Sequence, residues 1–484
     1  MPINKKIILI IVLGLLIYAN SLSNKFIWDD YLLIKDNLYI EQVANFPRLF
    51  TTTITAGAGE ERGLYRPLQM VTYLFNYALW GLNPGGYHLT NILLQILASV
   101  AVYYLIKLLF NDGLIAILTA LFFLVHPIHT EAVAYVSGRA DILAGIFLLF
   151  SLIFYIKTLH SKKIGHYFIL SILYLSALLS KEASLIFPLI LLLYHYSFKE
   201  KIRWVKFSLI LGFTVFYIFL RTVIFKNFLP SLILLGDPLQ RIPGFFAAIA
   251  KYISLLFLPF DLHMEYGKQL FGWHDPRVIA GLIVTVTLII IAFFKRQTNK
   301  IASFSIFWFF LNLLPYSNLY GINAYMAEHW LYLGSIGFFL VLSCYLCFLF
   351  RQKNLKLIGI TLGLALFIFY AWLTVRQNFY WHDNITFFER NLKYNPESAK
   401  LYYNLGLSYD DDGRKLDAIE AYKKALLINQ DYFLAHNNLA VVYYEKGRFN
   451  LAIEHADKAV SLGYKVHPAF LELLRPYRKA SGQN

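Results

Sequence analysis

The sequence predicts an all-α protein that crosses a membrane many times and ends in a water-exposed array of helical repeats. Three observations predict this fold class. Hydrophobic residues make up 58% of the 484 residues and charged residues only 15%, which is typical of polytopic membrane proteins. The apolar residues lie in separate runs up to about residue 376. Beyond that point the composition turns polar and a repeat appears at a fixed offset of 34 residues.

The net charge of +15 first raises the question of nucleic-acid binding. The lysines and arginines lie between the apolar runs, however, so the excess of positive charge on the cytoplasmic side of membrane proteins explains them. No Walker loop, zinc finger or RNA-binding signature is present, and we expect no nucleic-acid partner. Cys344 and Cys347 lie inside an apolar run, where we expect buried apolar side chains and not a redox pair.

The first apolar run covers residues 7–18 and follows Lys5 and Lys6. Because many more apolar runs follow, we expect an uncleaved transmembrane helix with a cytoplasmic N-terminus rather than a signal peptide. The loop that leaves it is about 65 residues long and contains Asp29, Asp30 and Arg66. On this topology the loop lies outside the cytoplasm.

The number of spans depends on residues 245–260, which are apolar but short, contain Lys251 and end near Pro259. A span needs about 20 residues. If this segment lies in the outer interface instead, every basic cluster faces inward, as expected for membrane proteins. We therefore predict eleven spans and a C-terminus outside: residues 7–18, 87–110, 114–125, 142–156, 167–179, 185–196, 205–220, 278–294, 301–314, 330–350 and 357–372.

The polar C-terminal part contains an internal repeat. Aligning Asn404 with Asn438 matches leucines, tyrosines, glycines and alanines at the same offset throughout. A 34-residue period with small residues where two helices cross is typical of tetratricopeptide repeats. We expect a half repeat before the first full one, and a capping helix from Pro468 to about Lys479. The predicted domains are thus a membrane domain at 1–376 and a repeat domain at 377–484. Because two and a half repeats are only marginally stable by themselves, we expect the repeat domain to pack on the membrane domain.

Residues 126–141 carry two histidines, a glutamate, an arginine and an aspartate between two strongly apolar runs. Ionisable groups at the edge of the hydrocarbon layer are functional candidates, because their burial is costly. The alternative is a helix end, broken by Pro127 and capped by polar groups in headgroup water. From the residues alone the two interpretations are about equal.

On the predicted topology, other polar residues reach the same outer side. They include Asp29, Asp30, Arg66, Ser180-Lys181-Glu182, Arg221, a loop with Asp261, His263 and Glu265, and Glu328-His329. Lys181 and Glu182 lie between two apolar runs, where we expect ion pairing. Each of these residues also has an interpretation without a role in catalysis or binding: a solvated loop for the aspartates, a surface turn for Ser180–Glu182, a snorkelling anchor for Arg221 and a helix cap for Glu328.

Acids and bases at one membrane face suit transfer of a group from a lipid-linked phosphate to an acceptor in water. Arginine or lysine would bind the phosphate. Phosphate is a good leaving group, so one carboxylate acting as a base on the acceptor hydroxyl would suffice. No ligands at zinc spacing stand out, and we expect neither a metal nor a cofactor besides the lipid-linked substrate.

The order of the short motifs resembles the transmembrane and tetratricopeptide-repeat-containing O-mannosyltransferases, a family of the GT-C class. The resemblance extends over nearly the whole chain and rests on these motifs: Trp28-Asp29-Asp30, Tyr65-Arg66-Pro67-Leu68, residues 126–131 and 138–141, Ser180-Lys181-Glu182 and residues 328–332. It implies a GT-C fold, a polyprenyl-phosphate-linked sugar donor, an extracytoplasmic active site and Asp29 as the catalytic base. The chain departs from the family at Glu328-His329-Trp330, where Glu-Arg-Tyr is usual, and its repeat array is shorter than in animal members.

These observations lead to one leading hypothesis and two alternatives. The leading one is metal-independent, inverting transfer of mannose or a similar sugar to a protein or glycan hydroxyl, with the repeats positioning the acceptor. The catalytic residues would be Asp29, as the base, and Asp30, which with Glu131 would orient the reacting groups. Arg139, Lys181, Arg66 and Arg221 would hold the phosphate. The residues around the donor and its phosphate would be Arg66, His126, His129, Glu131, Arg139, Asp141, Lys181, Glu182, Arg221 and Glu328. The alternatives are a membrane-anchored scaffold whose repeats bind protein partners, and a transporter, which paired broken helices would indicate.

Overall fold

The computed structural model describes residues 2–60, 63–223, 237–267, 269–319, 321–322 and 324–480. Within these ranges every regular element is a helix and no β-strand occurs. The predicted all-α class is therefore confirmed. The chain divides into two compact units, Met1–Trp381 and His382–Asn484.

The first unit is built from α-helices that vary widely in length. In chain order they are α1 (Ile3–Ile17), α2 (Pro67–Trp80), α3 (Pro84–Phe110), α4 (Gly113–Val125), α5 (Thr130–Val133), α6 (Arg139–Lys157), α7 (Ile164–Ser180), α8 (Phe187–Phe198), α9 (Trp204–Val223), α10 (Pro238–Phe257), α11 (Pro276–Lys295), α12 (Lys300–Leu313), α13 (Ser335–Arg351) and α14 (Lys356–Phe379). Short 3₁₀ turns connect several of them, among them Pro127–His129, Glu182–Ile186 and Glu328–Leu331.

Local chemistry explains where several of these helices begin and end. The Asp112 side chain accepts the backbone N–H groups of Leu114 and Ile115 and so caps α4, as short acidic side chains do at helix N-termini. Asp237 and Gln240 form a reciprocal capping box at the start of α10. Helix α3 ends at Asn111, which adopts the left-handed conformation that terminates many helices.

Among the residues that the structure describes, five helices are long and apolar enough to cross a membrane alone, namely α3, residues Val136–Lys157, α9, α11 and α14. Residues Gly113–Val125 and Pro127–Val133, bent by 54°, give a sixth if they form one broken span. Four shorter apolar helices include α7 and α13. The predicted number of eleven spans is thus not confirmed. The placement of residues 245–260 at the interface stays a prediction; α10 covers most of that segment and is not among these spans.

The helices place polar residues at one end of the unit and basic residues at the other. Helix α6 runs from Arg139 and Asp141 to Lys157, and α13 runs from the Glu328 turn to Arg351. At the basic end the connections touch, since the rings of Phe110, Phe198 and Phe304 are 5.6 to 5.9 Å apart. Opposite ends of a 19-residue helix are about 28 Å apart, so the two sets of polar groups are separated by about a bilayer core.

The long first loop has a hydrophobic core of its own. Phe26, Ile34, Ile40, Leu49 and Tyr73 are buried together in it, with further side chains from α2. Because this core fixes the loop through packed side chains, the turn at residues 28–30 is held in place rather than left to solvent.

The second unit consists of helices that pair in antiparallel hairpins. They are α15 (Asn384–Leu392), α16 (Ala399–Asp411), α17 (Lys415–Ile428), α18 (Phe433–Glu445), α19 (Phe449–Ser461) and α20 (Pro468–Ala480). Gly413 and Gly447 occupy the same turn of each repeat with φ of +76° and +71°, a conformation that glycine adopts without strain. Ala418 and Ala452 are fully buried at the helix crossings. The predicted repeat hairpins and the capping helix are confirmed.

Candidate active site

The turn at residues 28–30 is fastened to the loop that precedes α6. One oxygen of the Asp30 carboxylate accepts the backbone N–H of Ser137 at 2.8 Å and its hydroxyl at 2.5 Å. The other oxygen accepts the backbone N–H of Ile27 at 3.1 Å. Trp28 adopts φ of +44°, a region that costs a non-glycine residue about 1–3 kcal/mol and is often found at functional sites. The turn at residues 28–30, which we call the acid turn, therefore contacts the 126–141 segment.

Asp30 and Asp29 differ in their access to water. Asp30 is fully buried, whereas Asp29 is partly exposed. Burial raises the pKa of the Asp30 carboxyl to about 7, and the nearby Asp29 charge adds to this, while the hydrogen bonds from Ser137 and Ile27 oppose it. A carboxyl with no exposed surface cannot reach an acceptor, so the geometry suits Asp30 to the orienting role predicted for it and leaves the role of base to Asp29.

Arg139, which was predicted to bind a lipid phosphate, is fully buried. It donates to the Asn91 side chain at 2.6 Å, to the Thr72 hydroxyl at 3.0 Å and to the Tyr87 carbonyl at 3.0 Å. The guanidinium also lies 4.6 Å from the centre of the Tyr73 ring. Three of its five N–H donors are thus taken up by α2 and α3, and Arg139 joins these helices to α6. Its contact with a phosphate stays a prediction.

His126 and His129 are likewise structural. The Nε2 atom of His126 donates to the Leu256 carbonyl at 3.1 Å, and its Nδ1 accepts the Ile128 N–H. His129 donates through Nδ1 to the Phe123 carbonyl at 2.7 Å and contacts the Ser335 hydroxyl through Nε2 at 3.0 Å. Both rings are buried. These contacts satisfy the backbone where α4 breaks at Pro127, and the contact of the two histidines with the donor stays a prediction.

Lys181 and Glu182 each form an ion pair, but with residues far away in the sequence. Lys181 Nζ lies 2.6 Å from Asp141 Oδ1, and both side chains are buried. Glu182 accepts two hydrogen bonds from Arg66, at 2.6 and 3.1 Å. Arg221 approaches the same carboxylate to 3.9 Å. Burial lowers the pKa of the Arg66 guanidinium, but the Glu182 carboxylate outweighs this effect and the pKa is raised.

We call these five side chains, Arg66, Asp141, Lys181, Glu182 and Arg221, the cation cluster. It contains three cations and two carboxylates, so one positive charge is in excess. The charges of Asp30 in the acid turn and of Arg66 in the cation cluster both act on the Tyr73 hydroxyl, as does that of Arg139. A positively charged cluster with fixed bidentate geometry suits an anionic phosphate group.

A cavity of about 360 Å³, including its open mouth, adjoins the cation cluster. Asp141 and Lys181 line it on one side, and Tyr316, His329 and Trp330 line another. The rings of Tyr316 and Trp330 stack with centres 4.9 Å apart and an interplanar angle of 5°. Aromatic walls with a few polar groups are typical of small-molecule sites.

His329 is a site residue that the sequence-based assignment omitted. Its Nδ1 donates to Glu131 Oε1 at 2.6 Å, and its backbone N–H donates to Oε2 at 2.9 Å. The Glu131 side chain is 2% exposed and that of His329 is 23% exposed. The predicted residue Glu131 therefore reaches the cavity only through His329. The polar pair Glu328-His329 before an apolar run was the available signal, but sequence does not show which of the two faces the cavity.

Glu328 is the residue of that pair that does not line the cavity. It is fully buried, and its Oε1 accepts the His263 N–H at 2.6 Å and the Tyr266 hydroxyl at 2.7 Å. It fastens the loop around residue 263 to the turn at 328–331. Glu328 thus anchors a loop, and its contact with the donor stays a prediction. In the ranges that the structure describes, no group of three or more histidine, cysteine or acidic side chains is arranged to hold a metal ion.

Comparison with known proteins bears on both units. Residues 387–432 match the model described as "Tetratricopeptide repeat" and residues 415–462 match the model described as "TPR repeat". A protein O-mannosyl-transferase of Caenorhabditis elegans is 26% identical over 88% of this chain and 63% of its own length. Protein O-mannosyl-transferase TMTC1 of Homo sapiens is 27% identical over 88% of this chain and 55% of its own.

The predicted resemblance is confirmed. A shorter stretch, 30% of this chain, is 40% identical to protein O-mannosyl-transferase TMTC2 of Homo sapiens and covers 18% of that protein. The chain spans 55 to 63% of the length of the first two curated relatives. The crystal structure of ArnT from Cupriavidus metallidurans bound to undecaprenyl phosphate aligns with 95% of this chain and 76% of its own, with a TM-score of 0.46 and 16% identity.

Proposed function

We propose that this chain is a glycosyltransferase of the GT-C class that moves mannose or a similar sugar from a polyprenyl-phosphate carrier to a hydroxyl of a protein or glycan. One observation carries the proposal: around the start of α6, Ser137 donates to Asp30, the neighbour of the partly exposed Asp29, and Asp141, four residues later, pairs with Lys181 of the cation cluster. The resemblance to O-mannosyl-transferases supports the same reaction.

Asp29 is the base in the proposed reaction. Its carboxylate takes the proton of the acceptor hydroxyl as the acceptor oxygen bonds to the anomeric carbon. The bond between that carbon and the phosphate oxygen breaks on the opposite side, so the configuration is inverted. General-base catalysis contributes about 10²–10⁴-fold in rate. Asp30 does not react; it holds the turn through Ser137 and Ile27.

The cation cluster receives the charge of the leaving lipid phosphate. Arg66 and Arg221 share one carboxylate, Glu182, and Lys181 pairs with Asp141. These partners hold the cations in place before the donor arrives, which limits the entropy lost on binding. The phosphate then adds a negative charge to a cluster with an excess positive one. No metal or cofactor takes part besides the lipid-linked sugar.

The proposal assigns the sugar to the cavity that Asp141, Lys181 and His329 line. The stacked rings of Tyr316 and Trp330 offer an apolar wall for the C–H face of a pyranose, and Asn312 and His329 offer polar groups for its hydroxyls.

The site belongs to the extracytoplasmic side in this proposal. The opposite ends of α6, α7 and α13 carry or adjoin lysine and arginine clusters, and such clusters favour the cytoplasmic side. The repeats would then also lie outside and bind the acceptor or a protein partner, because stacked helical hairpins provide concave binding surfaces.

The test uses purified full-length protein in detergent with polyprenyl-phosphate-linked mannose, acceptor peptides rich in serine and threonine, and a metal chelator. The proposal expects a peptide mass increase of one hexose, measured by mass spectrometry and dependent on the lipid-linked donor. A scaffold, the alternative hypothesis, would bind peptides without changing their mass. Absence of hexose transfer from any of several polyprenyl-linked hexoses would overturn the enzymatic proposal.

A further inference from the structure

Three connections at the basic end of the first unit are unusually rich in cations. They are residues 157–163, 199–206 and 295–300. Their ten lysines and arginines face a single carboxylate in these segments, Glu200. In the part of the chain that the structure describes, none of the ten forms an ion pair with a carboxylate; Glu200 lies 4.0 Å from His160 instead.

Side-chain contacts tie the three connections together. Arg203 contacts Nδ1 of His160 at 2.6 Å, and Lys206 donates to the Thr158 carbonyl and to its hydroxyl. Arg296 donates to the Tyr196 carbonyl at 3.3 Å and lies 3.6 Å above the centre of its ring. The cations are therefore collected on one folded surface, held there by their own backbone and ring contacts.

The remaining seven lysines of this surface are exposed and can contact an anion. They are Lys157, Lys162, Lys163, Lys199, Lys201, Lys295 and Lys300. Like charges crowded on one surface repel each other, at a cost that a bound anion removes. The surface is thus a site that gains stability from anions.

Apolar side chains border the cations and indicate what kind of anion binds. Ile164 is 88% exposed, Trp204 68% and Val205 69%. These residues begin α7 and α9, and α9 is one of the helices apolar enough to cross a membrane. Exposed tryptophan beside lysine, at the end of an apolar helix, is typical of the level of lipid headgroups. A nucleic acid would place these apolar groups in water.

We propose that this surface, formed by residues 157–163, 199–206 and 295–300, is a binding site for the headgroups of anionic phospholipids. Its lysines contact the headgroup phosphates, and Ile164, Trp204 and Val205 contact the adjoining acyl chains. The bound lipid neutralises the crowded charge and so stabilises the packing of α6, α8 and α11 at this end. The inference does not depend on sugar transfer.

The experiment compares two triple variants of the full chain. Lys162→Gln/Lys163→Gln/Lys201→Gln removes three exposed cations from the surface. Lys393→Gln/Lys446→Gln/Lys465→Gln removes three exposed cations from the repeats and serves as the control. Each protein is reconstituted in equal amounts of phosphatidylglycerol and phosphatidylcholine with the same acyl chains, and the lipids retained after extraction are counted by native mass spectrometry.

Wild type and control are expected to retain phosphatidylglycerol preferentially, and the surface variant to lose about tenfold or more of that preference, since each lysine near a headgroup contributes to anionic-lipid binding. Equal retention of both lipids by the wild type, or an equal loss in both variants, would overturn the proposal. Competition distinguishes the source of the phosphate. Displacement by short-chain phosphatidylglycerol but not by inorganic phosphate supports a lipid site, and equal displacement by inorganic phosphate contradicts it.

Discussion

Replacing Asp30 with alanine removes the acceptor of three hydrogen bonds that join two loops more than 100 residues apart in the sequence. The buried Ile27 N–H and the partly buried N–H and hydroxyl of Ser137 would lose their partner. Each buried donor left without a partner costs about 1–3 kcal/mol. Local opening at Ser137 should then be easier by at least one such increment, about 5- to 150-fold at 1.4 kcal/mol per factor of ten.

Hydrogen–deuterium exchange of peptides that cover residues 134–141 measures this effect. We expect faster exchange in Asp30→Ala and little change in Asp36→Ala, because Asp36 is exposed in the same loop. If the Ser137 amide exchanged at the wild-type rate in Asp30→Ala, Asp30 would not be what holds the acid turn. An equal acceleration in Asp36→Ala would assign the effect to general loss of acidic charge.

Four further predictions concern the pH response, the buried arginine, the cavity and the repeats. Burial raises the Asp30 pKa to about 7, so the folded state binds a proton more tightly than the unfolded state between about pH 4 and 7. The free energy of unfolding should therefore fall by up to about 4 kcal/mol as the pH rises through this window and then level off. Thermal melts of Asp30→Ala at a series of pH values should lack this slope. Arg139→Met leaves the acceptors on Asn91, Thr72 and Tyr87 without a donor and should cost about 3–5 kcal/mol, seen as a lower melting temperature than for the exposed control Arg376→Met; equal melting temperatures would contradict it. Glu131→Gln replaces one of the two carboxylate oxygens that bind His329. It should raise the KM for lipid-linked mannose about tenfold, the effect of losing a hydrogen bond to a charged group, whereas the control Glu41→Gln should leave the KM unchanged. An unchanged KM in Glu131→Gln would show that His329 does not take part in donor binding. Gly406→Ala places a Cβ 2.6 Å from the buried Tyr422 ring and should destabilise α16 and α17 by about 1–3 kcal/mol, read as faster exchange of residues 399–428; Gly165→Ala, whose Cβ meets open space, should leave exchange there unchanged.

The repeats could be predicted almost completely from the sequence, for a physical reason. Each repeat folds on its neighbour through short-range contacts, so the spacing of Gly413 and Gly447 or of Ala418 and Ala452 directly records the geometry. The 34-residue period therefore located α16 to α19, and Pro468 located α20.

The membrane helices were predictable in position but not in number. Hydropathy reports how apolar a segment is, whereas crossing also depends on length and on breaks such as the 54° bend before Pro127. The apolar run at residues 114–125, for example, forms one half of a bent helix pair whose second half is Pro127–Val133. Composition alone does not show this continuation.

The candidate site could be located from the sequence, but its residues could not be assigned. Polar groups between apolar runs correctly drew attention to Asp30, Glu131, Arg139 and Glu328. Their partners, such as Asn91 for Arg139 and His263 for Glu328, come from distant segments. Whether a buried charge binds a ligand or a neighbouring helix depends on those partners, which a single sequence does not reveal. His329 was missed for the same reason.

The most direct measurement of the central claim is single-turnover sugar transfer from polyprenyl-phosphate mannose by wild type, Asp29→Asn and Asp36→Asn, with donor binding measured in parallel. Loss of the proposed general base predicts a fall of about 10²-fold or more in the transfer rate of Asp29→Asn, with donor affinity kept and with Asp36→Asn unaffected. Full-rate transfer by Asp29→Asn would contradict the account, because a group other than Asp29 would then take the proton of the acceptor hydroxyl.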